Sequence, residues 1–473
     1  MPSLATSKPA GPDPENHLDR AGLPKDLAAS WLKSLPELSG DFKRDTPSFS
    51  RFFLNGNELL KVLPKKTARD TNSAKAAAHI LMTCREARDR FLAHHIETLY
   101  RALTKDYANF VRVERIVFDA AALVPGLTPT AAEVATESTN AQKDKDGIEI
   151  DQGIFLSRLL EHPAAGMHLC HAMLLPRQES LSKLSHFLSH GTLEMKSASV
   201  ERRGKASFVT LRHPRFLNAE DEDTIDEMET AIDLATLDPE TSIAVFRGDV
   251  VENPKYKGRR VFCSGINLTH LYQGKIGFVW YMRRDMGAVN KIFRGVAKSE
   301  LAPDDVSAAH TEKPWVAAVD TFAIGGGCQY LLVMDYVLAA SDAYMTLPAR
   351  KEGIIPGAAN LRLPRFVGDR IARQAIMYGR RLDCDSPEGR LICDEVVPPT
   401  EMDKALDSVI DGLTSSGVVS AASNRRAFRV GEEPLDLFRR YMAVYAHEQA
   451  HCHFSPALIA NLEKHWDAQN RKI

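Results

Sequence analysis

The run Lys313-Pro-Trp-Val-Ala-Ala-Val-Asp-Thr-Phe-Ala-Ile-Gly-Gly-Gly-Cys-Gln329 is the sharpest chemical signal in the sequence. An apolar strand pattern leads into three glycines and then into apolar helical sequence from Tyr330 to Met334. Glycine lets backbone N–H groups approach a ligand closely. A helix start adds unpaired N–H groups and the positive end of its dipole. Together these favour an anionic oxygen at that turn. Upstream, Cys263-Ser-Gly-Ile-Asn-Leu268 makes a second turn of small residues, and the Ile266 amide is its candidate donor. Downstream, Gly353-Ile-Ile-Pro-Gly357 makes a third turn before more helical sequence.

Polar residues near these turns define what else the site can do. Gln329 donates or accepts hydrogen bonds but cannot ionise, so it orients a bound group and moves no proton. Arg283 and Arg284 fall on a helix in Trp280-Tyr-Met-Arg-Arg-Asp-Met286. One of them is expected to face a substrate or an anionic intermediate. Arg284 is preferred for that role, and its neighbour reads as solvent-facing or salt-bridged. Cys263 and Cys328 flank the turns with no evident histidine base, which reads as small buried packing. His447-Glu-Gln-Ala-His451 fits the H-E-x-x-H zinc pattern on a helix supported by Met442, Val444 and Tyr445. Only Glu463 and His465 follow as later ligand candidates, so structural histidines are the better reading and no metal site is expected.

These groups need a scaffold, and the chain of 473 residues is long enough for two domains. Lys plus Arg total 60 against 62 Asp plus Glu, a balance that gives no electrostatic case for nucleic acid. No run approaches the length of a membrane helix. Seven scattered cysteines without a C-x-x-C pair, and a polar, proline-rich start, read as reduced thiols in a cytoplasmic protein. Residues 1–22 read as a disordered tail. Residues 23–196 read as a helical domain, most clearly over Ser73 to Leu103, where Ile80, Cys84, Ala87 and Phe91 share a stripe. Asp151 to Leu175 and Glu179 to Ser189 also read as helices, and an apolar run near Ile116 as strand-like. The polar segment Lys196 to Gly204 reads as a boundary. From there strands alternate with helices: Ser207–Leu211, Ile243–Phe246, Val316–Val319 and Val337–Ala340 as strands, with a helix over Ala219 to Ala235. This argues an α/β layered core at 205–398, followed by a helical region at 399–473.

The order of the three glycine turns, with His213-Pro-Arg-Phe-Leu-Asn-Ala219 as the first strand-to-helix turn, resembles the crotonase (enoyl-CoA hydratase/isomerase) superfamily. The resemblance implies an α/β core of ββα spiral turns, here preceded by an all-helical N-terminal domain, in homotrimers or homohexamers. It implies that Ile266 and Gly326 donate the two oxyanion-hole amides to a thioester carbonyl. Gly265 and Gly327 beside them become substrate contacts, and Arg283 is a further one. CoA binding is implied at Arg215, Phe216 and Arg260. A hydratase of this family uses two glutamates, yet those positions are Gln329 and Ala349 here, so hydration is not expected.

The helical N-terminal region narrows the resemblance to the family's dioxygenase branch. That implies dioxygen oxidising the α-carbon of 3,5-dihydroxyphenylacetyl-CoA, yielding 3,5-dihydroxyphenylglyoxylate and free CoA with no metal or organic cofactor. An electron-rich aryl enolate can itself reduce dioxygen, which is the role a flavin or iron plays elsewhere. Such a pocket has to be dry and apolar, and Ile324, Ile354 and Ile355 are its candidate dioxygen wall. Glu220, at a helix start bordering the acyl pocket, is the candidate acceptor for a ring hydroxyl. Its neighbours Asp221, Glu222 and Asp223 suit the helix dipole instead. Other crotonase-type isomerisation or thioester hydrolysis, and a noncatalytic acyl-CoA scaffold, are the competing readings.

Overall fold

The computed structural model describes residues 18, 21, 23–303, 310–415 and 418–471. The tail read at 1–22 lies outside the described residues except for Leu18 and Ala21, and Leu18 is fully buried. From Lys25 to His190 the described chain is helical. The longest helix, Thr71–Thr104, is capped by Asp70, whose carboxylate accepts the Ser73 amide at 2.8 Å. Its stripe of Ile80, Cys84, Ala87 and Phe91 is buried. The stretch Asp151 to Leu175 is two helices, Ile150–Glu161 and Pro163–Leu174. Proline cannot continue a helix from within but suits its first turn, so Pro163 ends one and starts the next. The apolar run near Ile116 is helical, Val113–Leu123, with Val113, Ile116, Val117 and Ala120 all buried at helical spacing.

The sheet begins earlier than its hydrophobic pattern suggests. Strands β1 (Thr192–Glu194) and β2 (Ala198–Arg203) precede β3 (Ala206–Leu211). The polar segment read as a boundary is therefore β2, paired antiparallel with β3 in the register Val200↔Val209. Only its first half is buried, which hides the strand signal in the sequence. The large sheet continues in parallel through β4 (Ile243–Gly248), β5 (Trp315–Val319), β7 (Tyr336–Ala340) and β10 (Glu395–Val397). The buried, side-by-side apolar runs of β4 and β5 are what a parallel sheet covered on both faces requires.

A smaller sheet holds β6 (Phe322–Ile324), β8 (Tyr344–Thr346) and β9 (Leu382–Asp383). Two of the major strands thus feed a short strand and then a helix: β5, β6, Gly326–Leu331, and β7, β8, Ala349–Glu352. This is the ββα repetition expected of the core, behind a helical N-terminal region and followed by C-terminal helices.

The terminal regions meet. The helix Leu435–His453 packs directly on Ile150–Glu161, so closely that a Cβ on Gly153 would sit 2.4 Å from the Ala450 Cβ. Gln142 also donates to the His453 carbonyl at 2.7 Å. The N-terminal helices therefore brace the helix that carries Tyr445 into the site described below.

Candidate active site

Two turns converge because glycine permits it. Gly265 has φ +82° and Gly325 has φ +52° with ψ −111°, conformations that side chains disfavour. A Cβ on Gly265 would lie 3.2 Å from the Gly326 nitrogen, so the turns are in contact. The Ile324 amide donates to the Cys263 carbonyl at 3.0 Å, and Gly325 donates to the Thr346 carbonyl at 2.8 Å. On the opposite side, Glu220 donates to the Gly265 carbonyl and Asn267 donates to the Glu220 carbonyl, both at 2.8 Å. The amides of Ile266 and Gly326 take part in none of these loop bonds. Ile266 and Gly326 both line one small cavity. Gly327 begins the buried part of that helix, where a Cβ would strike the Cys263 carbonyl at 2.4 Å.

Arg284 lies beneath the turns, and four partners hold it. Its Nε donates to both Glu220 oxygens at 2.9 Å, Nη1 to Asp285 Oδ1 at 2.9 Å and to Gln329 Oε1 at 2.6 Å, and Nη2 to the Gly326 carbonyl at 2.8 Å. The guanidinium also stacks over Tyr330 at 4.7 Å. A π-helical turn, Arg284–Val289, interrupts the helix and begins at this arginine. Such turns often mark functional sites. Burial opposes Arg284's charge, but the Glu220, Tyr330 and Asp285 fields hold its pKa well above the ordinary value.

Several expected placements need correction. Glu220 is not among the residues lining the cavity: Arg284 engages both oxygens, and the Tyr330 hydroxyl donates to Oε1 at 2.8 Å. It positions Arg284 and is not free to receive a ring hydroxyl. Arg283 pairs with Glu222 at 3.1 Å and with Asp226, outside the cavity. The helical turn that aims Arg284 inward carries its neighbour away. Ile354 and Ile355 line the cavity, but Ile324 packs against a separate cluster of Val251, Val261 and Phe322. Strand alternation turns it to the other face. Asp221 is more than a dipole partner. It caps the helix Glu222–Leu237 and takes His270 at 2.8 Å and Asn267 at 2.9 Å.

The residues read as a CoA site, Arg215, Phe216 and Arg260, are not among those that line the cavity. Arg215 is exposed on the turn Pro214–Phe216, stacked on Phe216 at 5.6 Å. Ser264 donates to the Phe216 carbonyl at 3.2 Å, which joins that turn to the first oxyanion turn. Arg260 reaches the Gly248 carbonyl at 3.3 Å and Asp249 at 3.4 Å.

The sequence missed other cavity residues. Asp285 stands beside Arg284 and faces Gly357, where a Cβ would meet its Oδ2 at 1.7 Å. Burial raises its pKa while Arg284, Arg362 and the Tyr445 hydroxyl oppose the rise. Trp280, Tyr281 and Tyr445 form aromatic wall, and the Trp280 indole N–H has no acceptor among the described residues. Glu352 lines the cavity one helical turn after Ala349. His447 and His451 are exposed, His451 bonds back to the His447 carbonyl at 2.8 Å, and no group of metal-ligand residues forms among the described residues. Among the described residues no helix is long and apolar enough to cross a membrane.

Residues 201–441 match the enoyl-CoA hydratase/isomerase family. The chain is 48% identical over 395 residues, 83% of its length and 89% of the relative's, to the (3,5-dihydroxyphenyl)acetyl-CoA 1,2-dioxygenase of Amycolatopsis orientalis. It is 28% identical over 241 residues, 50% of its length and 83% of the relative's, to a short-chain-enoyl-CoA hydratase of Clostridium acetobutylicum. A solved enoyl-CoA hydratase from Mycobacterium avium subsp. paratuberculosis aligns at 21% identity and TM-score 0.47, over 57% of this chain and 98% of that one. With the paired glycine turns at its centre and sequence identity running well into the N-terminal helices, the chain belongs to the enoyl-CoA hydratase/isomerase family.

Proposed function

We propose that the chain is a dioxygenase that oxidises 3,5-dihydroxyphenylacetyl-CoA at its α-carbon. The observation that carries this reading is the 48% identity to a named dioxygenase across 83% of the chain, which includes helices that a bare hydratase core lacks. The departures Gln329 and Ala349 support it, because the two carboxylates of hydration are absent from those positions. The thioester oxygen binds the Ile266 and Gly326 amides, which stabilise the enolate formed when an α-proton leaves. The enolate, delocalised into an electron-rich ring, gives an electron to dioxygen, and recombination forms the carbon–oxygen bond. The substrate plus dioxygen then balances against 3,5-dihydroxyphenylglyoxylic acid plus free CoA with no further reductant.

The apolar wall of Ile354, Ile355, Leu347 and Pro356 suits dioxygen, and the unpaired Trp280 indole suits a ring hydroxyl. The reading needs no metal or organic cofactor. Family membership supports a homotrimer or homohexamer, and exposed Phe428 and Val430 offer apolar contact surface. The described cysteines form no disulfide, which suits a cytoplasmic setting, and the product suits a precursor of a nonproteinogenic amino acid of glycopeptide antibiotics.

An oxygen electrode tests this directly. With 3,5-dihydroxyphenylacetyl-CoA and excess chelator, oxygen uptake is expected to match CoA release one to one. CoA release without uptake would make the chain a thioester hydrolase. Binding with neither would make it a scaffold, and uptake abolished by chelator would assign the chemistry to a metal.

A further inference from the structure

Two carboxyl side chains line the cavity among the described residues, and they differ in one respect. Asp285 is held by Arg284 at 2.9 Å and by the Tyr445 hydroxyl. Among the described residues the Glu352 carboxylate has no ion pair or hydrogen bond, although the residue is only 9% exposed. It ends the short helix Ala349–Glu352, where residues three apart share a face. Ala349 and Glu352 accordingly open onto the same cavity as the Ile266 and Gly326 amides. A carboxylate without a partner in an apolar wall is costly, and such groups persist mainly where function uses them.

We propose that Glu352 is the catalytic base that removes the substrate's α-proton. This deepens the enolate reading above and rests on it. The α-carbon–hydrogen bond breaks, its electron pair moves onto the thioester oxygen held by the two amides, and the proton joins a Glu352 oxygen. Glu352 becomes a neutral acid, the form an apolar wall prefers. The proton passes to the departing CoA thiolate, and the carboxylate is restored.

Burial alone pushes the Glu352 carboxyl up from an ordinary 4.5 to about 7. A base near the working pH is the effective kind. Facing groups do not offset this: Tyr281 is held neutral, chiefly by burial, and His453 is pushed down to about 3, also by burial. Arg284 and Asp285 pair with each other, and Tyr445, Gln449, Leu458 and Asn461 bring no charge.

The experiment measures exchange of the α-hydrogen into D2O without oxygen, using 3,5-dihydroxyphenylacetyl-CoA, beside oxygen uptake in air. The unaltered chain should exchange, with kcat/KM rising with pH through about 7. Glu352→Gln should slow exchange and uptake together by about 10²- to 10⁴-fold, with KM little changed and the pH limb gone. Glu352→Asp should keep part of both rates.

Stability separates a structural role. The folded pKa lies above the unfolded one, so ionisation above pH 4.5 weakens the fold, and Glu352→Gln should melt no lower than the parent at pH 8. Exchange within 5-fold of the parent, a surviving pH limb or a large loss of melting temperature would each overturn the proposal. If the unaltered chain exchanges but takes up no oxygen, the base stands and the dioxygenase reading fails. No exchange beside normal oxygen uptake overturns the base alone, and neither exchange nor uptake in the unaltered chain removes both.

Discussion

Arg284→Met is expected to lower kcat/KM for oxygen uptake by about 10³-fold or more and to destabilise the protein by about 3–5 kcal/mol, because it strands a buried carboxylate. Glu220 is 1% exposed, and Arg284 is the cation on both of its oxygens. The Tyr330 hydroxyl alone would remain on Oε1. The same change frees Gln329 Oε1 and the Gly326 carbonyl, which fix the second oxyanion turn from below. Activity and stability should therefore fall together, read by the oxygen electrode and by urea denaturation. Arg284→Lys should recover only part of either, since an ammonium cannot reproduce the planar fork that meets Glu220, Asp285, Gln329 and Gly326 at once. Full activity in Arg284→Met would mean that this network does not position the site.

Gly325→Ala separates geometry from stability. At φ +52° and ψ −111° an alanine is strained by about 1–3 kcal/mol. No atom but the Gly265 Cα lies within 4 Å of the new Cβ, so crowding adds little. Relief of strain rotates the peptide that presents the Gly326 amide. Loss of one such donor typically lowers kcat by about 10²- to 10³-fold. KM should move little, because the donor acts most strongly on the enolate. A variant with kcat within 3-fold of the parent would show that the Gly326 amide carries no charge in the reaction.

The parts of this site legible in the sequence are those written in local backbone chemistry. Three glycines between an apolar strand and an apolar helix specify a turn with exposed amides, and that turn is present at Gly325–Gly327. Binary patterning likewise marks the stripe of Thr71–Thr104 and the buried strands β4 and β5. What failed depended on contacts between distant segments. Glu220 reads as a free acid at a helix start, and only folding brings Arg284, Tyr330 and Cys263 around it. Ile324 is one strand position from the turn, yet alternation assigns it to the far face. Asp285 and Glu352 resemble ordinary charged helix residues until the fold buries them, and the π turn has no composition signal of its own. Strand β2 escaped notice because Glu201, Arg202 and Arg203 are polar, and its pairing is set by β3.

The claim beneath all of this is that two amides meet one thioester oxygen. A crystal structure with a non-reactive ketone analogue of the arylacetyl thioester measures it. The analogue's carbonyl oxygen is expected at about 2.7–3.1 Å from both the Ile266 and Gly326 nitrogens. A carbonyl bound elsewhere in the cavity, or touching only one of those nitrogens, would contradict it.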